Sequence, residues 1–224
     1  MKEKYKYELH CHCREISPCG RLSARETAAL YQQAGYDGIV FTDHFRADII
    51  ELLTGDSWEE KIHSLWKPYK EVKKEYEGTD FFIGRGLEIR FNHNGNDILL
   101  YGFSEELLLE EGQEWVAMGL PAFYEKYRKD MLMIQAHPNR KSSSYQEPIE
   151  YLHGIEVKNT SPRNHNYNEI TEQTAKEHPW LIATGGSDCH RKEDVAGSGI
   201  VCSRRIESDQ DLIRILNDKN FEII

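Results

Sequence analysis

An α/β barrel is the fold class that the 224-residue sequence predicts, and three observations predict it. Short apolar runs alternate with helix-length amphipathic segments along the chain. Five of those runs terminate in an imidazole or a carboxylate, and no stretch rich in Pro, Gly or Ser is long enough to serve as a linker between domains. Alternating strands and helices imply a mostly parallel sheet, and about six or seven such units favour a closed barrel over an open doubly wound sheet. Residues 1–224 therefore read as one barrel domain.

The elements follow in order. "YKYEL", residues 5–9, is the first strand. In "SARETAALYQQAG", Ser23 is placed to cap a helix, Glu26 completes a capping box, and Gly35 falls at the C-terminal turn. "GIVFT" is the second strand, and a charged helical stretch spans Trp58 to Tyr76. "FFIG" and "DILLYGF" read as strands flanking a "NHNGN" turn. A helical region from about Glu105 to Asp130 leads into the strand "MLMIQAH". The pattern closes with strand "GIEVKN", polar helix "NEITEQTAKEH", strand "WLIATGG" and helix "SDQDLIRILND".

Composition removes several function classes. With 28 Lys+Arg against 38 Asp+Glu, the formal net charge is -10, and no local basic patch offsets it. That balance argues against a nucleic-acid or anionic-membrane partner. No apolar stretch approaches the ~20 residues of a membrane span, and "MKEKYKYE" lacks a signal-peptide core, so the expected location is cytoplasmic. Five cysteines, an odd number, at positions 11, 13, 19, 189 and 202 make a poor disulfide framework; free thiols are expected.

The chemistry lies at the strand ends. "YELHCH" ends in His10 and His12, "IVFTDH" in Asp43 and His44, "IGRGLE" in Glu88, "LMIQAHP" in His137, and "IATGGSDCH" in Asp188 and His190. In a parallel barrel the C-terminal strand ends open into one mouth, so these groups converge. A strand period of two puts His10 and His12 on one side, likewise Asp188 and His190, with Cys11, Cys13 and Cys189 packing behind. Each histidine alone has a structural explanation, but it must be invoked separately for His10, His12, His44, His137 and His190. Nitrogen and oxygen ligands in this mixture suit zinc, manganese or iron, and a carboxylate can bridge two ions. Such ions acidify bound water and stabilise charge that develops as a phosphoester breaks.

The set His10-Cys-His12, "TDH" at 42–44, "GLE" at 86–88, "AHP" at 136–138 and "GSDCH" at 186–190 resembles the polymerase and histidinol phosphatase (PHP) family, in order over most of the chain. The resemblance implies a distorted TIM-like (β/α)7 barrel holding two or three divalent ions at the C-terminal ends of its strands. It implies one metal set of His10, His12, Glu88 and Asp188, a second ion reached by Glu88 and His137, and a third held by His44 and His190. Where the family often has a ligand in a segment like "SDG", this chain reads "SPCG", leaving Cys19 as the nearest candidate. Among the groups following Glu88, Asp97 is chosen because it opens a strand.

The expected activity is hydrolysis of a small-molecule phosphomonoester, histidinol-phosphatase-like, by metal-activated water, with Asp188 and His190 in catalytic roles. Arg163, Arg191 and Arg46, each just beyond a strand-end motif, are candidates for binding the phosphate. The polar segment "RKSSSYQEP" after His137 is expected to form a loop over the mouth. Two alternatives stand beside this reading: a nuclease or nucleotide phosphodiesterase, and a binding or regulatory domain that keeps the barrel with weakened catalysis.

Overall fold

The computed structural model describes residues 4–224. Its sheet is built from β1 (Tyr5–Cys11), β2 (Gly38–Phe41), β3 (His44–Phe45), β4 (Phe82–Arg90), β5 (Asp97–Tyr101), β6 (Leu132–Gln135), β7 (Gly154–Asn159), β8 (Ile182–Gly186), β9 (Ile200–Cys202) and β10 (Glu222–Ile223). The helices are α1 (Ala24–Gln33), α2 (Ala47–Leu52), α3 (Trp58–Glu75), α4 (Glu105–Met118), α5 (Leu120–Tyr127), α6 (Asn168–Glu177) and α7 (Asp209–Asp218). Among the described residues no helix is long and apolar enough to cross a membrane.

Local sequence sets the helix ends. Ser23 and Glu26 form the expected capping box on α1, and Ser57 with Glu60 forms another on α3. The helical region expected from about Glu105 to Asp130 is two helices, broken at Gly119. There φ is +84°, and a Cβ would press on the His93 ring.

The barrel order is β1-β2-β4-β5-β6-β7-β8. Its pairings are parallel except at β5, which is antiparallel to both β4 and β6. The short segment 91–96 between β4 and β5 has no room for a crossover helix, so β5 must run back beside its neighbour. This reversal brings the start of β5, Asp97, to the end of the barrel where the other strands finish. β9 and β10 extend the sheet antiparallel beyond β1.

The barrel closes only narrowly between β8 and β1. One bridge joins Cys11 and Cys189, with the His12 N–H donating to the Cys189 carbonyl at 3.0 Å and the Cys189 N–H to that of His10 at 3.2 Å. Further down, the Glu8 carboxylate accepts the backbone N–H groups of His10 (2.8 Å) and Ser187 (3.1 Å), doing what absent ladder carbonyls would do. Tyr31 on α1 also donates to Glu8, at 2.7 Å.

Two apolar clusters flank the sheet. The barrel interior holds Tyr7, Leu9, Val40, Leu99, Tyr101 and Ile134 with α7 residues Leu212 and Leu216 beneath them. Ile39, Phe41, Cys11 and Ile155 lie on the outer face with the helices. Each large apolar side chain so buried contributes ~2 kcal/mol relative to exposure.

Candidate metal centre

Strict alternation along β1 would put Glu8, His10 and His12 on one face. Instead Glu8 pairs with Ile39 and Cys11 with Phe41, three steps on β1 against two on β2, which is a β-bulge. Glu8 therefore shares the outer side with Ile39 and reaches Tyr31. His10 turns inward to the cluster with His12, while Cys11 and Cys13 pack in the outer core as expected.

Glu88 sits among four imidazoles. Its Oε1 lies 3.2 Å from His10 Nε2 and 3.1 Å from His137 Nε2; its Oε2 lies 2.6 Å from His44 Nδ1 and 3.6 Å from His12 Nε2. Asp188 Oδ1 lies 3.3 Å from His12 Nε2, 3.5 Å from His10 Nε2 and 3.3 Å from His190 Nδ1. His137 and Asp188 adopt φ of +30° and +51°, a strained backbone that aims both side chains into the mouth. Asp188 and His190 lie beyond the end of β8, so their convergence comes from this turn and not from strand alternation. Gly186 allows the crowding: a Cβ there would meet Glu156 Oε1 and His10 Cβ, each at 2.6 Å.

Hydrogen bonds on the far side of each ring fix which nitrogen is free. His10 Nδ1 donates to Glu156 Oε1 at 2.9 Å, and His190 Nδ1 to the Asp188 carbonyl at 2.8 Å. Ser17 Oγ gives its proton to Asp43 at 2.7 Å, so it accepts from His12 Nδ1 at 3.3 Å and from the His44 N–H at 3.1 Å. These assignments follow from the partners present, and they leave lone pairs on Nε2 of His10, His12 and His190. Nε2 of His10 and His12, Nδ1 of His44 and Oε2 of Glu88 are buried without a hydrogen-bond partner. Such atoms are costly unless something else satisfies them. A shared cation fits: four triplets of ligand atoms each lie within 4.8 Å of one another. They are His10, His12, Glu88; His10, His137, Asp188; Glu88, Asp97, His137; and His12, His44, His190.

Electrostatics agree. Burial alone would raise Glu88, but the charges of His44 and His10 hold it well below the usual carboxylate range. Burial would also raise Asp188, and His10 with Arg140 holds it well below. Burial lowers His12, and the neighbouring His190 and His44 lower it further, so it is a neutral, ligand-ready imidazole. Burial would lower His10 and His44, yet Glu156 raises the first well above its ordinary value and Glu88 raises the second to about 10, so protons balance the carboxylates until a cation displaces them.

The remaining predicted groups are placed as follows. Cys19 Sγ lies 3.2 Å from His44 Nε2 and 3.1 Å from His190 Nε2. Asp97 reaches the cluster, 3.8 Å from His137 Nε2, while Arg90 grips both its oxygens at 2.8 and 2.6 Å. Arg163 donates to the buried Asp194 at 2.6 Å, Arg46 to Asp48 at 2.8 Å, and Arg191 lies 4.0 Å from Glu193. Two residues of the site escaped the sequence reading. Glu156 orients His10 and also accepts the His137 N–H at 2.9 Å. Arg140, in the loop after β6, donates to Asp188 Oδ2 at 2.5 Å, Asn159 Oδ1 at 3.1 Å and Asn166 Oδ1 at 2.8 Å. The strand parity of Glu156 was available as a signal; nothing local distinguishes Arg140 from other polar-loop arginines.

No model of a known protein family matches the sequence, and neither does any curated protein. Solved structures do. A two-domain protein from Bacteroides vulgatus containing a predicted PHP-like metal-dependent phosphoesterase matches at TM-score 0.70 and 16% identity, over 99% of this chain and 64% of that one. PsfC from Pseudomonas syringae matches at TM-score 0.69 and 16% identity, over 95% of this chain and 88% of that one. The lesion-specific endonuclease PfuEndoQ from Pyrococcus furiosus matches at TM-score 0.65 and 11% identity, over 98% of this chain and 57% of that one. The chain thus spans under two thirds of the first of these proteins, and the likeness establishes the fold as the distorted, PHP-like barrel.

Proposed function

We propose that the barrel mouth binds two or three divalent cations, zinc, manganese or iron, and hydrolyses the phosphomonoester of a small metabolite. The observation that carries this reading is the ring of buried, unpartnered ligand atoms on His10, His12, His44 and Glu88, completed by His137, Asp188 and His190. The PHP-like fold shared with a predicted metal-dependent phosphoesterase supports it. His10, His12, Glu88 and Asp188 would hold one ion, Glu88 and His137 with Asp97 a second, and His44 with His190 a third. Bound there, such ions supply Lewis acidity and a water acidic enough to ionise near neutral pH.

The chain's own groups do the rest. Asp188 is held ionised, with Oδ2 on Arg140 and Oδ1 facing the cluster, so it accepts a proton from the attacking water at Oδ1. His190, tied at Nδ1 to a backbone carbonyl, has only Nε2 free: it would hold the third ion there or, with that position empty, exchange a proton with the leaving oxygen. Arg140 rides on the loop after β6 and presents positive charge beside Asp188, which suits it to an anionic phosphate. Arg163 is the alternative, and either arginine would have to loosen its own ion pair, with Asp188 or with Asp194, to bind phosphate.

A second reading, cleavage of a phosphodiester in nucleic acid, draws support from the fold shared with the Pyrococcus endonuclease; the net charge of -10 weighs against it. Phosphate release is the test. Metal-loaded protein should release phosphate from sugar, amino-alcohol, nucleotide or aryl monophosphates faster than it cleaves diesters. Preference for a DNA or diester substrate would favour the second reading. Undiminished activity in a His10→Ala, His12→Ala double variant after chelation would defeat both.

A further inference from the structure

Among the described residues Cys19 is the one sulfur set against the imidazoles of the mouth. We propose that Cys19, His44 and His190 form a thiolate-bearing outer site that selects zinc over manganese, beside an inner set made only of nitrogen and oxygen. This inference rests on the reading of the mouth as a cation site and adds a division of metal preference within it.

Three observations carry it. Cys19 Sγ stands 3.2 Å from His44 Nε2 and 3.1 Å from His190 Nε2, so one sulfur faces a ring nitrogen from each of two other segments. Zinc bonds of ~2.3 Å to sulfur and ~2.0 Å to nitrogen in a tetrahedral site set S···N edges of ~3.5 Å, within a few tenths of an ångström of those distances. The third observation is independent of the cysteine. His12 is buried to 1% exposure with Nε2 unpartnered, its ring centroid lies 4.3 Å from each of the His44 and His190 rings, and a ligand atom of each of the three lies within 4.8 Å of the others.

Chemistry then separates the two sets. Thiolate is a soft donor that favours zinc, whereas carboxylate and imidazole admit manganese and iron as readily. The inner set around Glu88 contains no sulfur: Cys11 lies in the outer core and donates to the Val40 carbonyl, and Cys13 gives its S–H to Asp43 at 3.1 Å. Cys19 is exposed, so solvent metal reaches the outer position, and zinc kept there is held by affinity and not by burial.

Metal analysis and cobalt spectroscopy on the full chain test the inference. After loading with zinc and dialysis against manganese, the wild type should retain about one zinc per chain, and Cys19→Ala and Cys19→Ser should retain none. Cys19→Asp, which restores a ligand but not the sulfur, should exchange fully to manganese. The cobalt-loaded wild type should show a near-ultraviolet sulfur-to-cobalt charge-transfer band that all three variants lack. A saturated cobalt form without that band, or equal zinc retention in wild type and Cys19→Ala, overturns the proposal. If ions still bind and phosphate esters are still hydrolysed in that event, the cation site stands and only the division fails; no metal uptake at all ends both.

Discussion

Toward the closed end of the barrel the inward positions of β1, β2, β5 and β6 carry Tyr7, Leu9, Val40, Tyr101 and Ile134, packed on one another and floored by α7. A few residues away, at the strand ends, the inward positions carry His10, His12, Glu88 and His137, equally buried, with several polar atoms unpartnered. The closed end satisfies itself. The mouth does not: ligand atoms of His10, His12, His44 and Glu88 face one another there without a hydrogen-bond partner. Burial at one end therefore stabilises the chain, and burial at the other fits the proposed uptake of cations. A cleft of about 650 Å³ opens beside the closed end, but Lys70, Lys73, Lys74 and Arg205 share it with Glu77, Asp80 and Glu207, and no comparable demand for a ligand exists there.

This contrast is broken most forcefully at Glu88. Glu88→Gln removes the charge that four imidazoles surround, and hydrolysis should fall by at least ~10³-fold while the chain still folds. Steady-state rates and circular dichroism read the two halves of that statement. The converse change is Leu216→Ala on α7 beneath the closed end, which should cost ~2–5 kcal/mol in denaturant unfolding. Metal stoichiometry should not move; if it does, the two ends are not independent.

Glu156→Gln sharpens the comparison, because Glu156 belongs to neither plug nor cage but sets the tautomer of His10. Metal affinity should weaken by ~10–100-fold, measured by competition with a chelating dye, at near-unchanged stability. A further effect, confined to one pH window, concerns the seam. Burial pushes Glu8 up to about 7, against hydrogen bonds from Ser187, His10 and Tyr31 that lower it. A raised folded-state value means that the stabilising protonated form is fully present below the unfolded value of 4.5 and lost as pH rises through about 7. Relative to Glu8→Gln, the metal-free wild type should therefore lose stability between ~pH 5 and ~pH 8, by on the order of 3 kcal/mol at most. A flat difference across that range would mean that Glu8 is ionised throughout and that its donors outweigh burial.

Much of this was legible in the sequence, for identifiable reasons. Apolar runs ending in His10, His12, Glu88, His137 and Asp188 announce a barrel mouth because parallel strands share an end, and the Ser23–Glu26 cap is a purely local signal. The reversal of β5 follows from the short "NHNGN" turn, yet its consequence, delivery of Asp97 to the mouth, needs the sheet order as well. The bulge in β1 was invisible, since parity alone would send Glu8 into the cluster with His10. Arg140 was invisible too: it lies in an aperiodic polar loop, and only the path of that loop brings it to Asp188. Strand periodicity reads what a ladder dictates, and it is silent where strain, bulges and long loops take over.

The central claim is that the mouth is a cation cage. Anomalous scattering from a crystal of the metal-loaded chain, collected at the edge of the loaded element, tests it most directly. Two or three peaks contacted by His10, His12, Glu88, His137 and Asp188 are the predicted result. A map with no peak among those side chains, at metal concentrations that saturate the protein in solution, would contradict it.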